Sequence, residues 1–122
     1  MKILFSDYDG TLYTGEDSVA KNIEAIKTFR AADHKFVIAT GRSLESIQRI
    51  FAEHPIPYDY LILNNGSLVT DNQNQFILKH TISPPPIDLV EKIITFAKQN
   101  AEVDIDFSTT TSSTKLTLPT RI

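Results

Sequence analysis

Short apolar runs alternate with a stretch of helical periodicity along the first half of the chain. Three such runs, each closed by small polar residues or a turn, predict buried strands. Between the first two runs, apolar residues recur at helical spacing, which predicts a βαβ unit with parallel strands. The positions that carry the pattern are Ile3, Leu4 and Phe5, then Val19, Ile23, Ile26 and Phe29 on the helix, then Phe36, Val37 and Ile38, and finally Leu61, Ile62 and Leu63.

The second half of the chain predicts a hairpin, a helix and one more strand. Residues 68–70 and 76–78 flank a polar turn, which is typical of a β-hairpin. Residues 87–98 form an amphipathic stretch and predict a helix with solvent-facing lysines. Residues 103–107 alternate apolar side chains with acids, as a half-buried strand does. The Ser/Thr-rich tail, residues 108–122, is either a flexible terminus or a β-forming segment.

Two carboxylates, Asp7 and Asp9, stand at the exit of the first strand in the segment DYDGTL. Parallel sheets bind ligands at the carboxyl ends of their strands. Gly10 lets a ligand approach the backbone, and the amides of residues 10–12 predict a small anion-binding nest. Because the carboxylates repel a phosphate dianion, the arrangement favours a divalent cation, and hard oxygen donors favour magnesium. The alternative is an Asp-Gly turn that only closes the strand.

A second group of small polar residues, Thr40, Gly41 and Arg42, follows the second strand. Parallel pairing brings Thr40 to the same sheet edge as the two carboxylates, where its hydroxyl can donate to a phosphoryl oxygen. Arg42 either binds an anionic substrate or lies in solvent. Ser43 has the position of an N-cap for the helix that follows.

The two motifs, D-x-D-G-T-L and T-G-R in this order, resemble those of the haloacid dehalogenase-like (HAD) superfamily of phosphatases. The strand before residues 64–66 (NNG) and the hairpin after it resemble the Cof-like, sugar-phosphatase subgroup, whose members carry a large α/β cap. The resemblance implies an α/β fold: the N-terminal half of a Rossmann-like parallel sheet with flanking helices, a β-hairpin, and the first helix and strand of the cap. It divides the chain into a core part at 1–81, the start of a cap at 82–107 and the tail at 108–122.

The resemblance also implies a role for each site residue. Asp7 would be the nucleophile that takes the phosphoryl group, and Asp9 the acid/base that serves the leaving group and then water. Asp7 and Asp9 would hold Mg²⁺, Asp9 through its backbone carbonyl. The residues that would bind phosphate or substrate are Gly10, Thr11, Thr40, Gly41, Arg42 and Asn65.

Two parts of the family's site have no counterpart in the sequence, namely a lysine and a final acidic loop that follow the cap. Lys92 and Lys98 fall on the solvent side of the predicted helix, and Asp104 and Asp106 fall on the wet face of the predicted strand. We therefore expect the front portion of a longer phosphatase, truncated after the start of the cap. Its activity is expected to be weak or absent, because preorganised charges are missing.

The same truncation would leave the first strand unpaired on one side. An apolar strand edge invites pairing with another chain. We therefore expect a homodimer that is joined through this exposed sheet edge, with first strands or tail segments added across the interface.

Composition narrows the class further. The 122 residues, 41% hydrophobic and 22% charged, indicate one globular domain plus a fragment. A formal net charge of −3 argues against a nucleic-acid or membrane-surface footprint, and no segment approaches the ~20 apolar residues that span a bilayer. The absence of cysteine excludes disulfides and thiolate metal sites. No leader-like stretch precedes the first strand, which indicates a cytoplasmic location.

The function that the resemblance implies is hydrolysis of small phosphomonoesters, such as sugar phosphates, through an aspartyl-phosphate. The alternative is a non-catalytic fragment that binds phosphate or a partner, or that assembles through its open edge. A receiver domain is disfavoured because Asn64 and Asn65 stand where an aspartate acceptor is required. A Walker-type nucleotide site is disfavoured because no G-K-[ST] follows a strand.

Overall fold

A computed structural model describes residues 1–100 and 102–116, which form a five-stranded sheet, three helices and a separate two-stranded hairpin. The predicted α/β class is confirmed. The sheet contains β1 (Ile3–Ser6), β2 (Lys35–Ala39), β3 (Tyr60–Leu63), β4 (Leu68–Asp71) and β5 (Phe76–Lys79). The hairpin contains β6 (Ile105–Ser108) and β7 (Ser113–Leu116), and the helices are α1 (Glu16–Ala31), α2 (Leu44–Glu53) and α3 (Ile87–Gln99).

The strands of the large sheet lie in chain order, from β1 at one edge to β5 at the other. The first three strands are parallel, with Ile3 opposite Lys35 and Val37 opposite Tyr60, because α1 and α2 provide the crossovers. The last three are antiparallel, joined by a 3₁₀ turn and a hairpin turn. The carboxyl ends of β1, β2 and β3 therefore meet at one edge of the sheet, and β1 has no second neighbour among the described strands.

The core lies where α1 and α2 cover the parallel strands. The helix α1 buries Val19 and Ile26 and half-buries Ile23, as its spacing predicts. The central strands contribute side chains that are almost fully buried. These core residues are Phe36, Ile38, Leu61 and Leu63, joined by Ile47 of α2 and Leu68 of β4.

The start of α2 is fixed by a side-chain cap. Ser43 has an extended backbone, and its hydroxyl accepts a hydrogen bond from the Ser46 amide at 3.2 Å. Leu44 and Ile47 then point into the core. The predicted N-cap is confirmed, and it sets the position of the residue just before it, Arg42.

The later elements also follow their predictions. The helix α3 ends one residue beyond the predicted stretch, and its Lys92 and Lys98 are exposed. In β6, Ile105 is buried whereas Asp106 is exposed, as period two requires. The tail takes the β-forming alternative as far as Leu116, since β7 pairs with β6; residues 117–122 lie outside the described part.

Two further points concern the chain as a whole. None of the helices in the described ranges combines the length and the apolarity that a membrane span requires. The division into core, cap start and tail at residues 81 and 107 stays a prediction.

Candidate active site

The loop after β1 folds around one backbone oxygen. The amides of Thr11, Leu12 and Tyr13 all donate to the carbonyl of Tyr8, at 3.2, 3.0 and 3.0 Å, and the Gly10 amide donates to the carbonyl of Tyr13 at 3.0 Å. The predicted nest of free amides at residues 10–12 is therefore wrong, because backbone carbonyls already occupy these donors. Phosphate binding by Gly10 and Thr11 stays a prediction without the support of those amides.

Burial of two apolar side chains holds this loop in place. Tyr8 and Leu12 are both members of the core, and the Asn22 side chain donates to the Leu12 carbonyl at 2.8 Å. Gly10 has a φ of 77°, a conformation that favours glycine. Because Tyr8 points inward, its two neighbours Asp7 and Asp9 remain exposed at the sheet edge.

Asp7, the predicted nucleophile, is only partly engaged. Its Oδ1 accepts a hydrogen bond from the Tyr8 amide at 2.7 Å, and its backbone carbonyl accepts one from the Ser6 hydroxyl at 2.9 Å. No donor to Oδ2 is found within residues 1–100 and 102–116. One oxygen of this exposed carboxylate is therefore free to meet a phosphoryl group or a cation.

Asp9 is bound on both carboxylate oxygens by Arg42. Arg42 donates from Nε to Oδ2 at 2.8 Å and from Nη2 to Oδ1 at 2.9 Å, and its Nη1 donates to the Ser46 hydroxyl at 2.8 Å. The Arg42 guanidinium holds the pKa of the Asp9 carboxyl below its ordinary value, because its hydrogen bonds favour the ionised form. The sequence left two roles open for Arg42, binding of an anionic substrate or exposure to solvent, and in the structure Arg42 binds Asp9 instead.

The sequence analysis did not identify Ser46 as a further partner of Arg42. Its position four residues after Arg42 was a signal that could have indicated the contact.

Replacing Arg42 by glutamine is expected to raise the pKa of Asp9 towards its ordinary value of 3.8. The reason is that the charge-assisted hydrogen bonds that favour the carboxylate are lost. Carboxyl carbon chemical shifts followed by NMR through an acid titration measure the change. Arg49→Gln, on the exposed side of α2, is the matched control and should leave the Asp9 titration where it was. An unchanged titration in Arg42→Gln would show that the pair does not persist in solution.

Thr40 lies at the end of β2 and is 8% exposed. Its Oγ1 accepts a hydrogen bond from the Arg42 amide at 3.1 Å, and its own amide donates to the Ile62 carbonyl at 2.9 Å. Since the hydroxyl oxygen acts as acceptor here, its hydrogen remains available to donate to a ligand. Arg42 thus connects Asp9 to Thr40, the residue that the sequence predicted to bind a phosphoryl oxygen.

Gly41 and Asn65 are in close contact across the ends of β2 and β3. A Cβ on Gly41 would lie 2.8 Å from Asn65 Oδ1, so only glycine accommodates this side chain without a shift. Asn65 has a φ of 55°, a left-handed conformation that asparagine tolerates better than most residues. The Asn64 amide also donates to the Arg42 carbonyl at 3.0 Å. The structure therefore brings the T-G-R segment against the N-N-G turn.

A cavity of about 510 Å³ opens beside this contact. Its lining includes two residues of the predicted set, Gly41 and Asn65, whereas Asp7 and Asp9 do not line it. The β6–β7 turn forms part of its wall, because the Asn64 side chain donates to the Thr110 carbonyl at 2.8 Å. Sequence reasoning missed this role of Asn64, and no local signal could have shown it, since its partner lies 46 residues away.

The donors for a magnesium ion are few. Within the described residues, no group of three or more His, Cys, Asp or Glu side chains could hold a metal ion. Mg²⁺ nevertheless keeps several waters and often binds proteins through one or two carboxylates plus a substrate phosphate. The free oxygen of Asp7 and the backbone carbonyl of Asp9 are hard donors of that kind, so the residues present fit this binding mode.

The chain is similar to proteins described as haloacid dehalogenase-like hydrolases. Residues 4–117 match the family of haloacid dehalogenase-like hydrolases. A phosphatase of the haloalkanoate (HAD) enzyme superfamily from Bacteroides thetaiotaomicron is 28% identical, with a TM-score of 0.67 over 97% of this chain and 42% of its own. A HAD/COF-like hydrolase from Plasmodium vivax is 26% identical, with a TM-score of 0.54 over 79% of this chain and 35% of its own. An uncharacterized protein from Mycoplasma capricolum is 31% identical over 87 residues, which are 66% of this chain and 32% of that protein.

The family match covers almost the whole chain, but the chain covers only part of each relative. The chain spans less than half the length of each of these three relatives. Enzymes of the matched family are typically magnesium-dependent phosphatases. The family match extends from β1 to just past β7 and so includes both motifs and the cavity between β2 and the β6–β7 turn. The chain belongs to the haloacid dehalogenase-like hydrolases, the family that its two motifs resemble.

Proposed function

We propose that this protein hydrolyses small phosphomonoesters, such as sugar phosphates, through an aspartyl-phosphate on Asp7. The observation that supports this most is the direct link between the two motif segments. Arg42 binds Asp9 through two hydrogen bonds and donates its backbone amide to Thr40. The acids that follow β1 and the hydroxyl that follows β2 therefore belong to one connected site, as phosphoryl transfer requires.

The proposed reaction assigns a separate task to each residue. A free oxygen of Asp7 attacks phosphorus, the bond to the leaving oxygen breaks, and an acyl phosphate forms. The leaving alkoxide takes a proton from Asp9, and Asp9 later accepts a proton from the water that hydrolyses the acyl phosphate. The Thr40 hydroxyl donates to a phosphoryl oxygen and so holds the group in position.

The Arg42–Asp9 pair sets a condition on this scheme. While it is bound to Arg42, Asp9 stays ionised, which is the form that accepts a proton from water but has none to give to a leaving group. A phosphoryl group is a dianionic partner that a guanidinium binds in the same bidentate manner. We propose that the arriving substrate draws Arg42 away from Asp9, so that the freed carboxylate takes up a proton from solvent and then gives that proton to the leaving oxygen.

Mg²⁺ would be held by Asp7 and by the backbone carbonyl of Asp9, and when bound it would neutralise charge on the phosphoryl oxygens. Repulsion between the Asp7 carboxylate and the phosphate dianion is the physical reason that the site requires a cation. We expect weak activity because few groups of this chain supply positive charge to the phosphoryl oxygens.

Replacing Asp7 by asparagine is expected to reduce magnesium-dependent hydrolysis of p-nitrophenyl phosphate to the rate without protein. The whole rate above that background should be lost, because the scheme has no turnover without the nucleophile. Asp106→Asn, an exposed acid on β6, is the matched control and should retain the rate of the original chain. The initial rate of nitrophenolate release, with and without magnesium, is the measurement.

The same assay separates the proposal from its alternative, a fragment that binds phosphate or a partner without turnover. The full engagement of Asp9 by Arg42 is the observation that favours this alternative. Equal blank rates in the original chain and in Asp7→Asn, together with NMR shifts at Thr40 on addition of inorganic phosphate, would establish binding without catalysis.

A further inference from the structure

Ser46 contacts the one nitrogen of the Arg42 guanidinium that does not bind Asp9. The Ser46 hydroxyl accepts a hydrogen bond from Arg42 Nη1 at 2.8 Å, while Nε and Nη2 donate to the two carboxylate oxygens of Asp9. The partners of the guanidinium therefore come from two different segments, the loop after β1 and the first turn of α2.

The pair with Asp9 is too exposed to fix the guanidinium by itself. The side chains of Arg42 and Asp9 are 39% and 52% exposed. Exposed ion pairs contribute little, because solvent screens the charges and side-chain freedom is lost when the pair forms. A serine side chain loses little conformational entropy when it is ordered, so the contact with Ser46 adds a fixed point for the guanidinium.

The first turn of α2 holds Ser46 in a defined position. The Ser46 amide donates to the hydroxyl of Ser43, and the two apolar residues of the same turn, Leu44 and Ile47, are buried in the core. The Ser46 side chain itself is only partly exposed. Its hydroxyl is therefore an anchor that belongs to the rigid part of the fold.

The backbone of Arg42 is fixed as well. Its amide donates to Thr40 Oγ1 at 3.1 Å, and its carbonyl accepts from the Asn64 amide at 3.0 Å. Glu45, the acid nearest to Arg42 in the sequence, forms its ion pair with Arg49 at 3.5 Å. Arg42 is thus held at its backbone and at Nη1, and the edge formed by Nε and Nη2 is the part that can change partner while those contacts stay in place.

We propose that Ser46 is a positioning residue, which holds Arg42 Nη1 while the Nε–Nη2 edge passes from Asp9 to the phosphoryl group of the substrate. This inference rests on the proposed function, and it adds the residue that keeps Arg42 in the site after Asp9 has released it. A guanidinium forms two parallel hydrogen bonds to a phosphate only in a defined orientation. Without Ser46 the released side chain turns freely in solvent, and ordering it again weakens binding of the phosphoryl group.

The affinity for inorganic phosphate tests this role without requiring turnover. With magnesium present, the NMR shift of the Thr40 amide during a phosphate titration measures the dissociation constant. Ser46→Ala is expected to weaken phosphate binding about three- to tenfold, as the loss of one hydrogen bond does. Ser46→Thr keeps a hydroxyl and should restore most of the affinity. Thr28→Ala removes an exposed hydroxyl from α1 and is the matched control, with the affinity of the original chain.

Ser46→Ala should keep its fold, because alanine favours helices and the cap of α2 uses the backbone of Ser46. Circular dichroism melts verify this. The heteronuclear NOE of the Arg42 Nε–H group then reports whether the guanidinium is held, and it is expected to fall in Ser46→Ala and to recover in Ser46→Thr.

Hydrolysis of p-nitrophenyl phosphate supplies a kinetic readout. The contact supports binding of the phosphoryl group before and during the reaction alike. Ser46→Ala should therefore raise KM by the factor found for phosphate and leave kcat nearly unchanged. A merely structural defect would lower the amount of active protein and so reduce kcat at constant KM.

The outcomes separate this inference from the proposed function. Equal phosphate affinities in the original chain and in Ser46→Ala, or a loss confined to kcat, would overturn the role of Ser46 and leave hydrolysis standing. Weaker phosphate binding in Ser46→Ala, in a chain that shows no turnover, would support the role of Ser46 and contradict hydrolysis. An original chain whose Thr40 amide does not respond to phosphate would overturn both.

Discussion

Replacing Phe36 by alanine is expected to lower the free energy of unfolding by about 3–5 kcal/mol, which is the usual cost of removing a buried aromatic side chain. Phe36 is 1% exposed and lies in β2, between its neighbours β1 and β3. Its loss leaves a cavity in the cluster that also holds Ile38, Ile47 and Leu61. Because Thr40 follows directly after β2, the candidate site depends on this strand staying in place.

Urea unfolding followed by circular dichroism measures this loss as a shift of the transition midpoint. Phe76→Ala on β5 is the matched control, since it removes the same side chain from a position that is 47% exposed. Its expected cost is below about 1.5 kcal/mol, because less apolar surface returns to water. Similar losses at both positions would contradict the placement of the core beneath β2.

Local apolar patterns were sufficient to predict most of the fold. The helical periodicity of Val19, Ile23 and Ile26 predicted α1, and the alternation of apolar and acidic residues at 103–107 predicted β6. These predictions succeeded because burial of one face is a property of each segment by itself. The order of the parallel strands followed from the crossover rule, and among the described strands β1 lies at one edge of the sheet.

The candidate site was predicted less completely, because its hydrogen bonds join segments that are distant in sequence. The motifs indicated Asp9, Thr40 and Arg42, but the bonds of Arg42 to Asp9 join positions 33 residues apart. The predicted nest failed for a related reason. The Tyr8 carbonyl competes for the loop amides, and this competition follows from the burial of Tyr8, which no motif specifies.

Asp59 is a second case in which contacts between distant segments could not be predicted, here contacts that concern stability. Nothing in the local sequence around Asp59 indicates them. Its side chain is 11% exposed and accepts hydrogen bonds from Arg30 at 3.0 and 3.1 Å and from the Phe36 amide at 2.8 Å. It thereby joins the last turn of α1 to β2 just before β3 begins. Its partners lie 23 and 29 residues away, so only the folded chain shows the network.

Asp59→Asn is expected to lower the free energy of unfolding by about 2 kcal/mol at neutral pH, because hydrogen bonds to a charged acceptor are among the stronger ones. The effect should depend on pH. Arg30, through its hydrogen bonds, lowers the pKa of Asp59 from its ordinary value of 3.8, so the carboxylate stabilises the folded state above pH 3.8. That stabilisation is lost as the pH falls through the lowered pKa of the folded state. The difference between the two proteins should therefore be constant near neutrality and shrink in acid.

Urea midpoints of the original chain and of Asp59→Asn, measured from neutral pH down to pH values below 3.8, test this directly. Asp33→Asn is the matched control, because Asp33 is exposed in the turn between α1 and β2 and its substitution should change stability by less than about 0.5 kcal/mol. A difference that grows in acid would show that the carboxylate destabilises the fold. An equal cost for Asp33→Asn would show that net charge, rather than the bonds to Arg30 and Phe36, determines the effect.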